Sequence, residues 1–186
     1  MDQLRERIKF VKTFISDKNV AAFVASSKFV VRSVGKHIHK PIQTAVECGP
    51  GEGVMTRRLL EHLSLEGTLL AIESNKEFVS LLKGIDDLRL CVIEGCAQDI
   101  VIYAKERGMN AIDLVVASIP FSFLKSWERI QLVRDIHKLL TPNGTLIIFH
   151  QYSPMMYRTV KKIFGNASIS FEPRNVPPCF IMTARK

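Results

Sequence analysis

The sequence predicts an α/β protein built on a seven-stranded, mostly parallel sheet with helices on both faces. From residue 44 onward, short continuous apolar runs alternate with segments of helical spacing, which is typical of a parallel sheet covered on both sides. The last two runs are separated by only a short loop, and this predicts an antiparallel hairpin at the C-terminus. The 186 residues fit one domain, which can bury a packed core without disulfides or metal.

The predicted strands are continuous apolar runs bounded by glycine, proline or polar residues. In chain order they are TAVECG, TLLAIE, LRLCVIEG, AIDLVVASIPF, GTLIIFHQY, ASISFE and PCFIMTAR. Pro120 halts the fourth strand, because proline has no amide proton to give to a sheet.

The predicted helices lie between these strands and carry apolar residues at helical spacing. In chain order they are VMTRRLLEHL, NKEFVSLLKG, AQDIVIYAKERG, WERIQLVRDIHKLL and PMMYRTVKKIF. Gly84 ends the second helix and Gly108 the third, as glycine does at helix C-termini. Pro154 is expected in the first turn of the last helix, where an amide proton is not needed.

The basic charge is concentrated at the N-terminus. Residues 1–40 hold nine Lys and Arg against three Asp and Glu, whereas residues 41–186 hold seventeen against fifteen. Apolar residues mark one face of a predicted N-terminal helix, at Leu4, Ile8, Val11 and Ile15. We therefore expect a single domain, residues 1–186, with a basic helical arm (1–40) before an α/β core (41–186). The arm suits a membrane surface or nucleic acid, but a solvated face or a helix docked on the core gives the same pattern.

The four cysteines lack the spacing of a zinc site, so we expect reduced thiols and no metal. The N-terminus has no signal-peptide apolar core, and no apolar run approaches the length of a bilayer span. These features predict a cytoplasmic protein, which the basic arm could place at a membrane surface as a peripheral protein.

The stretch AVECGPGEGVM joins the first strand to the first core helix through a glycine-rich turn. Glycines let the backbone approach a ligand closely, and the helix N-terminus adds unpaired N–H groups. The dinucleotide pattern G-x-G-x-x-G fails here, because Val54 stands at its sixth position. The pattern present is E-x-G-x-G-x-G, formed by Glu47, Gly49, Gly51 and Gly53.

This pattern resembles the S-adenosylmethionine (SAM) loop of Rossmann-like, class I methyltransferases, over about residues 44–184. The resemblance implies SAM as the cofactor, with Glu47 near its ammonium group and Glu73 accepting from its ribose hydroxyls. Cys96 stands where the family often has an adenine-binding acid, so Gln98, Asp99 or the local backbone could take that place. The implied cofactor-binding residues are Glu47, Gly49, Gly51, Gly53, Thr56, Glu73, Cys96, Ala97 and Ser118.

Further stretches resemble bacterial phospholipid N-methyltransferases: SSKFVVRSV within the arm, FHQYSP at the tail of the fifth strand and NVPP near the end. This resemblance implies an amine of a phosphatidylethanolamine-type head group as the methyl acceptor. The segment SIPF after strand four would place Phe121 near the methyl group, and His150 or Tyr152 could relay the proton of the amine. Lys161 and Lys162 could hold a lipid phosphate, although a solvated helix end explains them as well.

Three alternatives stay open. The stretch GPGEGVMT, which includes Thr56, also resembles adenine-dimethylating RNA methyltransferases, but those usually have NxPY where this chain has SIPF. They also carry a separate basic C-terminal domain. A small-molecule methyltransferase is the second alternative. A SAM-binding module without activity is the third, since Cys96 and SIPF both depart from the family pattern.

Overall fold

The computed structural model describes residues 28–38, 41–151, 153–175 and 177–186. Most of the predicted basic arm therefore lies outside the described residues, and so does Tyr152. The six helices of the described residues are α1 (Lys28–Gly35), α2 (Val54–His62), α3 (Lys76–Lys83), α4 (Ile100–Glu106), α5 (Ser126–Leu139) and α6 (Tyr157–Phe164). The strands are β1 (Ile42–Cys48), β2 (Leu63–Glu73), β3 (Leu90–Glu94), β4 (Ile112–Ala117), β5 (Leu140–Gln151), β6 (Ser168–Glu172) and β7 (Cys179–Arg185).

The seven strands form one sheet in the order β3-β2-β1-β4-β5-β7-β6. Strands β1 to β5 run parallel to one another, whereas β7 pairs antiparallel with both β5 and β6. The sheet is thus mostly parallel and ends in the predicted antiparallel hairpin, which confirms the predicted fold class. The strand order reverses between β1 and β4, and ligands of such sheets bind outside the carboxyl ends of the strands at this point.

Buried apolar side chains fill both faces of the sheet, as continuous apolar strands require. One face packs against α4, α5 and α6, through residues such as Ile100, Leu132 and Val160. The other packs against α1 and α2, through residues such as Val34 and Leu59. Helices therefore cover both faces, as predicted, and the carboxyl ends of the parallel strands stay together along one edge.

Several element boundaries differ from the prediction. Strand β2 begins at Leu63 and β5 at Leu140, several residues before their apolar runs, because these short extensions pair with Ile42 and Ile112. Helix α6 begins at Tyr157. The expectation that Pro154 lies in its first turn is therefore wrong, and the Pro154 carbonyl instead accepts a hydrogen bond from the Tyr157 N–H at 2.9 Å.

All four cysteine thiols are free; Cys48 and Cys179 are buried, whereas Cys91 and Cys96 are partly exposed. In the described part of the chain, no helix is both long enough and apolar enough to cross a lipid bilayer.

Candidate functional site

The glycine loop takes a backbone conformation that side chains rarely adopt. Gly49, Gly51 and Gly53 have φ angles of 78°, 56° and 82°, all in the left-handed region. A Cβ atom on Gly49 would lie 3.0 Å from the Ile119 side chain and 3.3 Å from the Ser118 carbonyl oxygen. The predicted need for glycine therefore has two physical causes, the left-handed backbone and the close approach of the segment that follows β4.

Glu47, at the end of β1, is 1% exposed. Its Oε2 accepts a hydrogen bond from the Thr56 hydroxyl at 2.6 Å. Its Oε1 is buried and has no hydrogen-bond partner among the described residues. Burial raises the pKa of Glu47 to about 8; the Thr56 hydrogen bond opposes this effect, and the charge of Glu73 adds to it. The carboxyl group is therefore mostly protonated at neutral pH until a cation reaches it.

Glu73, at the end of β2, is 7% exposed and faces the same loop. Its Oε2 accepts from the Gly51 N–H at 3.0 Å, and its Oε1 accepts from the Asn75 N–H at 2.8 Å. Each carboxylate oxygen can accept a second hydrogen bond, so the group keeps acceptor capacity for hydroxyls. Sequence reasoning missed Asn75. Its position before α3, where its side chain accepts from the Glu77 N–H, is a helix-capping pattern that could have identified it.

The segment after β3 lies at the same edge. Cys96 is partly exposed, Ala97 is buried, and residues Ala97–Asp99 form a turn of 3₁₀ helix before α4. The Tyr103 side chain lies directly over Gly95, and its hydroxyl is hydrogen-bonded to the Cys96 backbone. Tyr103 was not predicted, because an aromatic residue on a helix gives no sign in sequence that it folds back over the preceding strand.

Ser118 connects the fourth strand to the glycine loop. Its N–H donates to the Cys48 carbonyl at 2.9 Å, and its hydroxyl donates to the Gly49 carbonyl at 2.7 Å. These two bonds fix the position of the loop relative to β4. Among the described residues Ser118 thus acts on the loop backbone, and its role toward a cofactor stays a prediction.

Phe121 and His150 lie beside each other at the ends of β4 and β5. Phe121 is fully buried, and its ring centroid is 6.3 Å from that of His150. The His150 Nδ1 is buried without a hydrogen-bond partner among the described residues. Burial lowers the pKa of His150, although the backbone of Gln151 and Ser153 offsets part of that effect. The imidazole is therefore neutral at pH 7 and can accept a proton.

The structure thus gathers predicted residues around the glycine loop through three hydrogen-bonded pairs: Glu47 with Thr56, Glu73 with Gly51, and Ser118 with Gly49. Cys96 and Ala97 follow β3, which pairs with β2, and Phe121 and His150 lie on the far side of β4. The predicted site residues that the structure describes therefore line the carboxyl edge of the sheet from β3 to β5.

Comparison with models of protein families finds no match for this chain. The chain is 28% identical over 174 residues to an ornithine lipid N-methyltransferase of Singulisphaera acidiphila, covering 90% of this chain and 88% of that protein. It is also 28% identical over 143 residues to the ribosomal RNA small subunit methyltransferase A of Methylococcus capsulatus, covering 72% of this chain. That match covers 49% of the ribosomal RNA enzyme, so the chain spans about half the length of this relative.

Among solved structures, the fold is similar to that of the 1,6-didemethyltoxoflavin-N1-methyltransferase of Burkholderia thailandensis, which was determined with bound S-adenosylhomocysteine. The TM-score is 0.73 at 17% identity, and the match covers 97% of this chain and 86% of that one. The shared architecture confirms the predicted fold. Both of these sequence relatives are methyltransferases, and this confirms the predicted enzyme class, a methyltransferase.

Proposed function

We propose that this chain transfers a methyl group from SAM to the amine of a lipid head group. The observation that carries the donor is the buried Oε1 of Glu47, which lacks a partner among the described residues and stands beside the glycine loop. The acceptor is supported by the likeness to an ornithine lipid N-methyltransferase, which extends over 90% of the chain.

The residues at the loop fit the groups of SAM. An ammonium group beside Glu47 would donate to the oxygen without a partner and would favour the charged carboxylate. Glu73 keeps enough hydrogen-bond acceptor capacity for two ribose hydroxyls while it accepts from the Gly51 N–H. The left-handed glycines let the ligand approach the backbone without a Cβ in the way.

SAM supplies, when bound, a methyl group already activated by a positive sulfur. The chain then has to position the acceptor, exclude water and receive a proton. With SAM held at the loop, a neutral amine would receive the methyl group on its nitrogen and would then have one proton to lose. His150 is neutral and has an imidazole nitrogen without a partner among the described residues, so it can take the proton that the amine releases.

Phe121 would position the acceptor, because its buried ring packs beside His150 at the end of β4. Tyr152 is the second candidate for the proton relay, since it lies two residues beyond His150 in the chain. Lys161 and Lys162 are exposed on α6, and we assign them to a lipid phosphate only if the acceptor is a phospholipid.

An RNA acceptor is the second candidate, because the ribosomal RNA enzyme of M. capsulatus is as identical in sequence as the lipid enzyme. That match is shorter and covers half of the relative, and the segment after β4 reads SIPF instead of NxPY. The observations therefore favour the lipid acceptor.

The decisive experiment incubates the full chain with radiolabelled SAM and one acceptor at a time. The acceptors are vesicles with phosphatidylethanolamine, vesicles with ornithine lipid, and total RNA. We expect label in one of the two lipids and none in RNA. Label in RNA alone would overturn the lipid acceptor. Calorimetric titration with S-adenosylhomocysteine tests the donor site independently, and absence of binding would overturn the assignment of SAM.

We also propose that the basic arm, residues 1–40, helps to hold the protein at an anionic membrane surface. The support comes from its charge and from the apolar face at Leu4, Ile8, Val11 and Ile15. Removing residues 1–15 should reduce binding to anionic vesicles in low salt. Unchanged vesicle binding would remove the arm from the proposal.

A further inference from the structure

We propose that the carboxyl edge of the sheet is itself a membrane-docking surface for an anionic bilayer. This docking rim consists of residues 118–130, 153–162 and 171–175, which follow β4, follow β5 and end β6. The inference rests on the proposed function, because a lipid acceptor has to reach this edge from a membrane. It adds a second contact surface, on the core, and fixes which side of the sheet faces the lipid.

The rim exposes large apolar side chains. Trp127 is 63% exposed, Phe171 is 53% exposed and Phe123 is 38% exposed. Phe171 packs on one side against Phe180, with 5.0 Å between the ring centroids, and leaves its other side open. Tryptophan and phenylalanine at a protein surface favour a boundary between water and lipid, where an apolar ring can be buried without loss of polar contacts.

The exposed charge of the rim is positive. Its basic residues are Lys125, Arg129, Arg158, Lys161, Lys162 and Arg174, and its acidic residues are Glu128 and Glu172. Both acidic residues are buried; Glu128 accepts from the Lys125 N–H, and Glu172 accepts from the Arg174 guanidinium and the Ser33 hydroxyl. The rest of residues 41–186 holds eleven basic and thirteen acidic residues. The positive charge of the core is therefore concentrated where the apolar rings are exposed, and this combination is complementary to an anionic lipid surface.

The rim also connects to the proposed methyl-transfer site. The short 3₁₀ turn Phe121–Phe123 runs from the buried ring beside His150 to the exposed ring of Phe123. On the other side, His150 pairs with Phe180 across β5 and β7, and Phe180 pairs with Phe171 across β7 and β6. Directly paired residues of antiparallel strands project to the same face. A row of rings therefore extends from the interior at His150 to the open edge at Phe171, along the path a head group would take.

The chain offers a direct probe, because Trp127 is its only tryptophan. We would add vesicles that contain phosphatidylglycerol and phosphatidylethanolamine to the full chain and record its emission. We expect a shift to shorter wavelength, quenching by lipids brominated along their acyl chains, and weakening of both effects in high salt. Vesicles of phosphatidylcholine alone should give a much smaller response. If the protein floats with the vesicles while Trp127 emission and its quenching by acrylamide stay unchanged, the docking rim is overturned and another surface binds the membrane.

Variants that reverse a charge or replace an apolar side chain test whether the docking rim, and not the rest of the surface, binds the membrane. Lys125→Glu should weaken partitioning onto anionic vesicles about fivefold or more, since each cation near such a surface contributes about that factor. Phe171→Ser should weaken it on the order of tenfold. The matched controls are Lys105→Glu and Leu88→Ser, which change an exposed cation and a fully exposed apolar residue outside the rim. Equal losses from rim and control variants would overturn the proposal.

Different experimental results would exclude the docking rim and the lipid acceptor. If lipid becomes labelled while the Trp127 emission does not change, the docking rim is overturned and the lipid acceptor stands. A lipid-induced Trp127 shift without labelled lipid supports the rim and overturns the acceptor. Trp127 quenched by RNA and unaffected by vesicles overturns the rim as a lipid surface. Binding of S-adenosylhomocysteine by Lys125→Glu and Phe171→Ser should match the unmodified chain, which shows that both variants are folded.

Discussion

Replacing Glu47 with glutamine should remove a pH-dependent loss of stability that the buried carboxyl imposes on the fold. The pKa of this group rises from 4.5 to about 8 on folding, chiefly because burial disfavours its charged form. Between those values the folded state keeps a proton that the unfolded chain releases, so the free energy of unfolding falls as pH rises and levels off above the folded pKa. One unit of pKa corresponds to about 1.4 kcal/mol, and the loss between pH 6 and pH 8 is about 2 kcal/mol.

Urea unfolding of the unmodified chain and of Glu47→Gln at pH 6, 7, 8 and 9 measures this loss. Other titrating groups are common to both proteins and cancel in the difference. The free energy of unfolding of the variant, relative to the unmodified chain, should rise by about 2 kcal/mol from pH 6 to pH 8 and change little above pH 9. Glu66→Gln, an exposed acid on β2, should show no such trend. A Glu47 difference that is the same at every pH would mean that the carboxyl is already charged at pH 6, and the reasoning from its burial would fail.

Three further variants test the site. Glu73→Ala should weaken binding of S-adenosylhomocysteine about 10- to 100-fold in calorimetry, because ribose hydroxyls and the loop lose a charged acceptor; unchanged affinity would remove Glu73 from the site. Gly49→Ala and Gly108→Ala both place a side chain at a positive φ, and this backbone effect alone should lower the free energy of unfolding of each by about 1 kcal/mol, measured by thermal unfolding. Only Gly49→Ala also meets neighbouring atoms, so it should lose more stability and its ligand, and equal losses would refute the close approach. His150→Gln should lower the methyl-transfer rate about 100-fold with little change in cofactor affinity. The control is His137→Gln, which should leave the rate unchanged, although His137 is also a partly buried histidine with a lowered pKa. Similar rates for the two variants would exclude His150 as the base.

The fold could be predicted because its signals are local. Apolar runs broken by Gly84 or Pro120 identify strands and helices without knowledge of the neighbouring elements. Element boundaries are set by tertiary pairing instead. The start of β2 at Leu63 depends on its pairing with Ile42, and the late start of α6 depends on how the chain leaves β5. No local pattern near Leu63 or Pro154 contains that information.

The cofactor side of the site was predictable for the same reason. The glycines and Glu47 are close in sequence, and Glu73 follows at the end of the next parallel strand, so topology places it beside the loop. Contacts that join distant segments were not predictable. The hydrogen bond from Ser118 to the Gly49 carbonyl spans 69 residues, and the position of Tyr103 over Gly95 depends on how α4 packs back on the sheet.

The charged groups beside the glycine loop also indicate which class of ligand it accepts. Glycine loops before a helix commonly hold phosphate, because backbone N–H groups attract negative charge. Here Glu47 and Glu73 place two buried carboxyl groups beside the loop, and the Gly51 N–H is already used by Glu73. A phosphate at this position would meet like charge and one donor fewer. A ligand with an ammonium group and ribose hydroxyls meets the opposite situation, since the Oε1 of Glu47 lacks a donor among the described residues and Glu73 can accept two more hydrogen bonds. The two acids therefore turn a loop geometry common to phosphate sites into one that favours a cationic nucleoside.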